Sequence, residues 1–429
     1  MINNPFIFKR PLKPDEFVNR EDQINIGLRC LNNSEPSVVI GDPHIGKTSF
    51  LKYLLNIVKD DKNFSNTIFS FIDTQMIGSE FTLSQFWKEA FAPLKKYVHD
   101  QLSFLYEIFE LVEKNNYGNF VLEKLFLKLE NHDWRYMLFI DELDFLFTHK
   151  VLNSAEFWGG LRSLSSRLDS FNIMCASRKT IIQMNQLTAE ISAGSPFFNT
   201  FMRIPLYNLT EDNSNILIKR SENTFFKHDY NFIKEISGGH PYLLQTASSK
   251  LWDFYNINID INNYSNIYEK VGREIFNELE SHFLDTWNNW DNAFRKVITI
   301  IALEQLSDAQ LSHHFSIERL AETPQDFLSE RQKLLDSGII KKNGSNNYVV
   351  TSKAFLWWLA DEIKRNVRDE SEFKNWLQIN EIDWVITRGN KKKLIKFVNK
   401  LLDVVGKGSM TLIQSFAKAM GEEVGKNIH

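Results

Sequence analysis

One eight-residue stretch, Gly41-Asp-Pro-His-Ile-Gly-Lys-Thr48, limits what this chain can fold into more than any other. It follows the pattern G-x-x-x-x-G-K-[ST], the phosphate-cradling P-loop. A P-loop needs a strand before it and a helix after it. Ser37-Val-Val-Ile40 is a β-branched run, and Ser49-Phe-Leu-Lys-Tyr-Leu-Leu55 has helical character. Gly41 and Gly46 permit backbone angles that a β-carbon resists. Asp42, Pro43, His44 and Ile45 would complete the loop, and Ser49 would follow it into the helix. Backbone N–H groups at the helix's positive end then face a phosphate. Lys47 would reach the β- and γ-phosphates of a nucleotide, and the Thr48 hydroxyl would bind Mg²⁺.

A second site lies about ninety residues on. Leu138-Phe-Ile-Asp-Glu142 is an apolar strand that ends in two acids, a Walker B pattern. Asp141 would hold Mg²⁺, and Glu142 would polarise an attacking water. A strand ending in acids is common by itself, but beside a P-loop the coincidence is small. Asp144 is either a further polar group near the metal or a surface residue, and the surface reading is preferred. Cys175-Ala-Ser-Arg178 ends another strand, and Arg178 there is either a γ-phosphate sensor or a solvated loop arginine.

Strand-like runs at 37–40, 67–73, 136–140, 172–176 and 202–206 alternate with helical stretches, which predicts a parallel sheet in an α/β domain over residues 1–209. Residues 80–130 read as a helical insertion. Residues 210–285 show helical spacing only, broken at Ser237-Gly-Gly-His-Pro241, and predict a small helical domain. Over 286–365, three helices precede a turn at Asn343-Gly344 between Gly338–Lys342 and Tyr348–Thr351. That pattern predicts a winged helix-turn-helix. The remaining segment, 366–429, contains an apolar helical face at Leu394, Phe397, Val398, Leu401, Leu402 and Val405. A shorter face follows at Ile413, Phe416, Ala417 and Met420.

Composition removes several alternatives. Two cysteines, Cys30 and Cys175, are too few for a disulfide framework or a zinc site. No apolar run is long enough for a membrane span, and the N-terminus lacks a signal-peptide pattern, so a cytoplasmic location is expected. A net charge of −4 argues against a general nucleic-acid binder. The charge is uneven, however. Residues 388–429 hold nine Lys/Arg against Asp403, Glu422 and Glu423. That basic tail could pack on the chain itself, meet a partner helix, or touch an anionic membrane surface or nucleic acid.

The chain at this point resembles the STAND class of P-loop ATPases and the related origin-recognition ATPases. Glu16-Phe-Val-Asn-Arg-Glu21 is similar to the Phe-Val-Gly-Arg-Glu box of those proteins, with Asn19 in place of glycine. The resemblance implies that Phe17 and Val18 lie near the adenine. Cys175-Ala-Ser-Arg178 resembles the family's fourth-strand motif. Ser195-Pro-Phe-Phe-Asn-Thr-Phe201 and Leu209-Thr210 resemble its fifth-strand region. Gly239-His-Pro241 is similar to the lid motif whose proline, here Pro241, packs near the nucleotide base. The likeness runs over about residues 5–365 and implies an AAA+-like ATPase domain, a helical lid and a winged helix.

The same resemblance implies an ATP/ADP-controlled switch in signalling or anti-phage defence, one that hydrolyses ATP slowly with Mg²⁺. It would be closed with ADP and would assemble into a homo-oligomer with ATP. Glu142, Lys47 and Arg178 would carry the chemistry, and a separate sensor or effector protein would be its partner. Arg162 and Arg167 are arginine-finger candidates. The competing reading is a DNA-binding ATPase of origin-recognition or transposition-regulator type. Its third winged-helix helix, about 324–337, mixes Arg331 and Lys333 with Asp326, Glu330 and Asp336, so it is not a basic reading head. Lys341 and Lys342 on the wing keep DNA contact open. A third reading is a nucleotide-bound scaffold without turnover, and the intact Lys47, Thr48, Asp141 and Glu142 argue against it.

Overall fold

Apolar runs bounded by polar residues become five parallel strands: β1 (Ser37–Ile40), β2 (Thr67–Asp73), β3 (Arg135–Asp141), β4 (Phe171–Ser177) and β5 (Met202–Pro205). In this computed structural model, residues 3–18, 20–189, 191, 196–222, 224–257, 263–308, 326–344, 347–366, 370–379 and 408–426 are described. They form two compact units. Pro11–Asp42 and Gly46–Leu206 make a sheet unit, and Met1–Arg10, Pro43–Ile45 and Tyr207–His429 a helical unit. Asn19, Ser195 and the apolar face at 394–405 lie outside the described residues. So does the short second helix expected before residue 324.

The strand order is β2-β3-β4-β1-β5. β1 and β4 are buried along their whole lengths, as central strands covered on both faces should be. The sheet unit also holds helices α1 (Glu21–Asn32), α2 (Lys47–Lys59), α3 (Leu83–Ala90), α4 (Ala92–Asp100), α5 (Tyr106–Lys114), α6 (Asn119–Glu130), α7 (Ala155–Arg167) and α8 (Ile181–Thr188). The insertion expected at 80–130 is therefore α3–α6. Phe86, Trp87, Phe91 and Phe126 from it are buried with Tyr136 and Phe171 of the sheet. The carbonyl of Ala90, at the end of α3, accepts from the Ser70 hydroxyl at 2.7 Å and from the Tyr136 hydroxyl at 2.5 Å. These two bonds fix the insertion to β2 and β3, the strands that lead to the acidic site.

The helical unit holds α9 (Glu211–Ile218), α10 (Lys227–Ser237), α11 (Pro241–Ile257), α12 (Tyr264–Asn289), α13 (Asn292–Asp308), α14 (Asp326–Asp336), α15 (Lys353–Asn366), α16 (Glu370–Ile379) and α17 (Gly408–Lys426). The Asn343-Gly344 turn joins β6 (Ile340–Asn343) to β7 (Asn347–Val350) as an antiparallel hairpin. A carboxylate knots the core. Asp229 is fully buried on α10 and accepts from the hydroxyls of Tyr255 on α11 and Tyr268 on α12, both at 2.8 Å. Its other oxygen accepts the Phe226 N–H at 2.8 Å. The expected face at Ile413, Ala417 and Met420 is buried on α17 against α12 and α15. A β-carbon at Gly421 would stand 2.7 Å from the Ser265 backbone nitrogen, so only glycine lets α17 approach α12 there.

Asn208 ties the start of this unit together. Its amide donates to the carbonyls of Gly238 at 3.1 Å and Gly338 at 3.0 Å, while the Leu209 N–H donates to the Gly239 carbonyl at 2.8 Å. Leu209-Thr210 and Gly239-His-Pro241, far apart in sequence, are thus neighbours. Among the described residues no helix is long and apolar enough to cross a membrane.

Candidate functional site at the carboxyl ends of the strands

The loop after β1 makes its left-handed turns at His44 (φ 58°) and Gly46 (φ 103°). Gly41 is not among the described residues with positive φ. The turn falls three residues later, at His44, despite its β-carbon. Gly46 is the residue that leads directly into α2, and nothing stands within 4 Å of the position of its absent β-carbon. Conformation, not crowding, makes glycine necessary there. Lys47 is 5% exposed, and its Nζ donates to the carbonyls of Gly41 and Asp42, both at 3.0 Å. Burial lowers its pKa, and the nearby Glu142 charge opposes that shift. The Ser49 hydroxyl accepts the Leu12 N–H at 3.0 Å, so this side chain faces the lead-in segment. Phe17 stacks on Tyr53 of α2 with ring centres 4.5 Å apart, which sets the lead-in against the helix after the loop; Val18 beside it is half-buried.

At the end of β3, Asp141 is 2% exposed. Burial pushes its pKa up, and a hydrogen bond from the Thr48 hydroxyl works against that rise. The Glu142 N–H donates to Asp141 Oδ1 at 3.1 Å. Glu142 itself is left-handed, with φ 51°. For a residue with a β-carbon that conformation costs about 1–2 kcal/mol. Burial raises its pKa as well, while Lys47 and Arg178 hold it down. Arg178 Nε lies 3.6 Å from Glu142 Oε2, and both side chains are largely covered. Glu142 Oε2 is buried, and among the described residues it has no hydrogen-bond partner.

Two residues that sequence reading did not select hold this turn. β2 and β3 pair with Asp73 beside Asp141, which places Thr74 under the acidic turn. The Thr74 hydroxyl lies 2.5 Å from the Glu142 carbonyl oxygen and 3.1 Å from that of Asp141. The Asp144 carboxylate accepts from the Ser177 hydroxyl at 3.0 Å and from the Arg178 N–H at 2.8 Å. Its reading as a surface residue is therefore corrected: β4 lies next to β3, and Asp144 bridges their ends. The signal for Thr74 was its position directly after a strand.

Mg²⁺ fits these residues in one particular way. Among the described residues no three His, Cys, Asp or Glu side chains converge on a metal. A protein-only cage is thus absent, but Mg²⁺ is ordinarily held by one or two carboxylates together with waters and substrate phosphates. Thr48 and the buried Asp141 provide a hydroxyl and a carboxylate side by side, which suits that arrangement.

Pro43, His44, Ile45 and Pro241 belong to the helical unit. His44 stacks on Tyr242 there at 4.8 Å, and Pro241 opens α11, where its missing N–H costs nothing. On α7, Arg167 pairs with Glu123 at 3.4 Å.

A family model described as an AAA-like domain matches residues 17–314. Among solved structures, the Walker-type ATPase paby2304 of Pyrococcus abyssi is similar over 83% of this chain and 99% of its own, at 15% identity and a TM-score of 0.50. The ORC2 protein of Aeropyrum pernix, described as ADPNP–ADP complexes, covers 83% of this chain and 97% of its own, at 13% identity and a TM-score of 0.48. At such identities the likeness speaks to the fold alone. A search of curated proteins finds no match.

Proposed function

The chain belongs to the family of AAA-like domains, and from that premise we propose that it is a STAND-type ATPase, a conformational switch set by ATP and ADP in signalling or defence. The observation that carries this reading is the Arg178–Glu142 pair at 3.6 Å, next to Lys47 and the Thr48–Asp141 contact.

In this reading Lys47 exchanges its two carbonyl bonds for the β- and γ-phosphates. Thr48 and Asp141 would hold Mg²⁺, which would supply neutralisation of phosphate charge. Glu142 takes a proton from water as the water oxygen attacks the γ-phosphorus and the bond to the bridging oxygen breaks, leaving ADP and phosphate. Arg178 turns towards the γ-phosphate, which draws it off Glu142 and frees that carboxylate.

The same contacts supply the switch. Moving a two-state equilibrium from 1:99 to 99:1 takes about 5.5 kcal/mol of differential affinity. Charge-assisted hydrogen bonds contribute about 1.5–3 kcal/mol each. Lys47 and Arg178 on a γ-phosphate reach that range together, and ADP lacks the group. The ATP form assembles as a homo-oligomer, with Arg162 or Arg167 as the arginine offered to a neighbour and a separate sensor or effector as partner.

Glu142→Gln tests the reading. ATP binding should persist, turnover should fall by about 10²–10⁴-fold, and light scattering should record an ATP-dependent assembly that no longer reverses. A Glu142→Gln protein that turns over ATP normally would sink it.

A DNA-binding ATPase is the second reading. It is supported by the exposed Lys341 and Lys342 on β6 of the β6–β7 hairpin. The cations of α14 weigh against it, since Arg331 lies over the Tyr348 ring at 5.0 Å and Lys333 pairs with Glu330 at 3.7 Å. DNA binding at low salt with a salt slope that drops in Lys341→Ala/Lys342→Ala would establish the second reading.

A further inference from the structure

We propose that Asp144 is a positioning residue for Arg178, setting the gap between that guanidinium and Glu142; this deepens the ATPase reading and rests on it. Arg178 is the first residue after β4, and its side-chain reach depends on where its backbone stands. That backbone is held from outside its own strand, where its N–H donates to Asp144 Oδ2 at 2.8 Å. The other carboxylate oxygen takes the Ser177 hydroxyl at 3.0 Å, and Ser177 Oγ in turn accepts the Lys179 N–H at 2.9 Å. Three successive residues are thereby fixed to one carboxylate.

Asp144 sits two residues after Glu142, in the 3-10 turn Leu143–Thr148 that Glu142 opens. The general base therefore caps this turn, and the clamp on its cationic partner is the turn's second residue. Asp144 thus ties the end of β4, and Arg178 with it, to the turn that follows β3. Charge-assisted bonds to backbone N–H groups are short and directional, and an error of about 1 Å in placement can cost about 10²-fold in rate. Asparagine is a poor substitute. Its amide can present one oxygen acceptor, whereas two donors converge here, so one of them would face an NH₂ group.

The test uses the full chain with Asp144→Asn, Asp144→Ala, Arg178→Ala and the two Asp144/Arg178 double variants. ATP turnover is measured as kcat and KM, beside binding of a fluorescent ATP analogue and thermal melting. Asp144→Ala should lower kcat about tenfold, weaken binding of the analogue in the same direction as Arg178→Ala does, and lower the melting temperature only slightly, and Asp144→Asn should fall between it and wild type. In the Arg178→Ala background, removing Asp144 should cost less than a further twofold. Losses that multiply across the double variant would overturn the proposal, as would Asp144→Ala turning over like wild type. Should Asp144→Ala fail to fold, Asp144→Asn carries the same comparison. Wild-type turnover in Arg178→Ala would instead refute the ATPase role given to Arg178, an outcome distinct from multiplying losses.

Discussion

Thr74→Val replaces a hydroxyl by a methyl of nearly equal size at a fully buried position. It removes the donor that lies 2.5 Å from the Glu142 carbonyl and 3.1 Å from that of Asp141. Leaving a buried carbonyl without a partner costs about 1–3 kcal/mol. The Glu142 carbonyl keeps a second donor, the Phe145 N–H at 3.1 Å, which sets the loss at the low end, about 1 kcal/mol. That bond works against the cost of about 1–2 kcal/mol for holding Glu142 left-handed. If the lost energy appears wholly in the placement of Glu142, kcat falls about fivefold. Steady-state turnover checks this, with KM unchanged because Lys47 and the loop are untouched. Thr74→Ser is the control. It keeps the hydroxyl and loses one buried methyl, so stability drops by about 0.8 kcal/mol while kcat stays near wild type. Equal kcat in wild type and Thr74→Val would refute the reasoning, and so would a Thr74→Ser loss as large as that of valine.

Other outcomes follow from the same geometry. Lys47→Ala should abolish nucleotide binding in a titration with a fluorescent analogue, with the fold kept by circular dichroism. Turnover should fall on acidification through a pH above the ordinary glutamate range, because burial raises the Glu142 pKa and the base must be ionised. Arg178→Ala should move that acid limb higher still, since its charge holds the carboxyl down; a limb that moves lower contradicts the pairing. Asp229→Ala should destabilise the helical unit by about 3–5 kcal/mol in denaturant unfolding, because two phenols and one N–H lose a shared acceptor.

Much of the sheet was legible because its central strands are buried on both faces and so appear as unbroken apolar runs. The loop at 41–48 and the acids at 141–142 carry their own spacing. Strand order is another matter. Nothing in the residues says that β4 lies between β3 and β1, and that order is what brings Arg178 to Glu142 and Asp144 to Ser177. Thr74 looks like an ordinary residue after a strand until the register sets Asp73 beside Asp141. The left-handed turn at His44 was hidden for a different reason. Pattern reading assigns such angles to glycine, and this loop makes one with a β-carbon present.

The helix at Gly408–Lys426 has a consequence for modularity. Its buried residues Ile413, Ala417 and Met420 share one core with α12 and α15, and Gly421 touches the backbone at Ser265. A cut before residue 408 would not release a detachable appendage. It would strip a wall from the helical unit and bare apolar surface on Gly272 and its neighbours, so a shortened chain should aggregate where one tries to read the effect of losing a tail. Recombination that exchanges C-terminal parts among related chains would have to carry the matching surface of α12 with it.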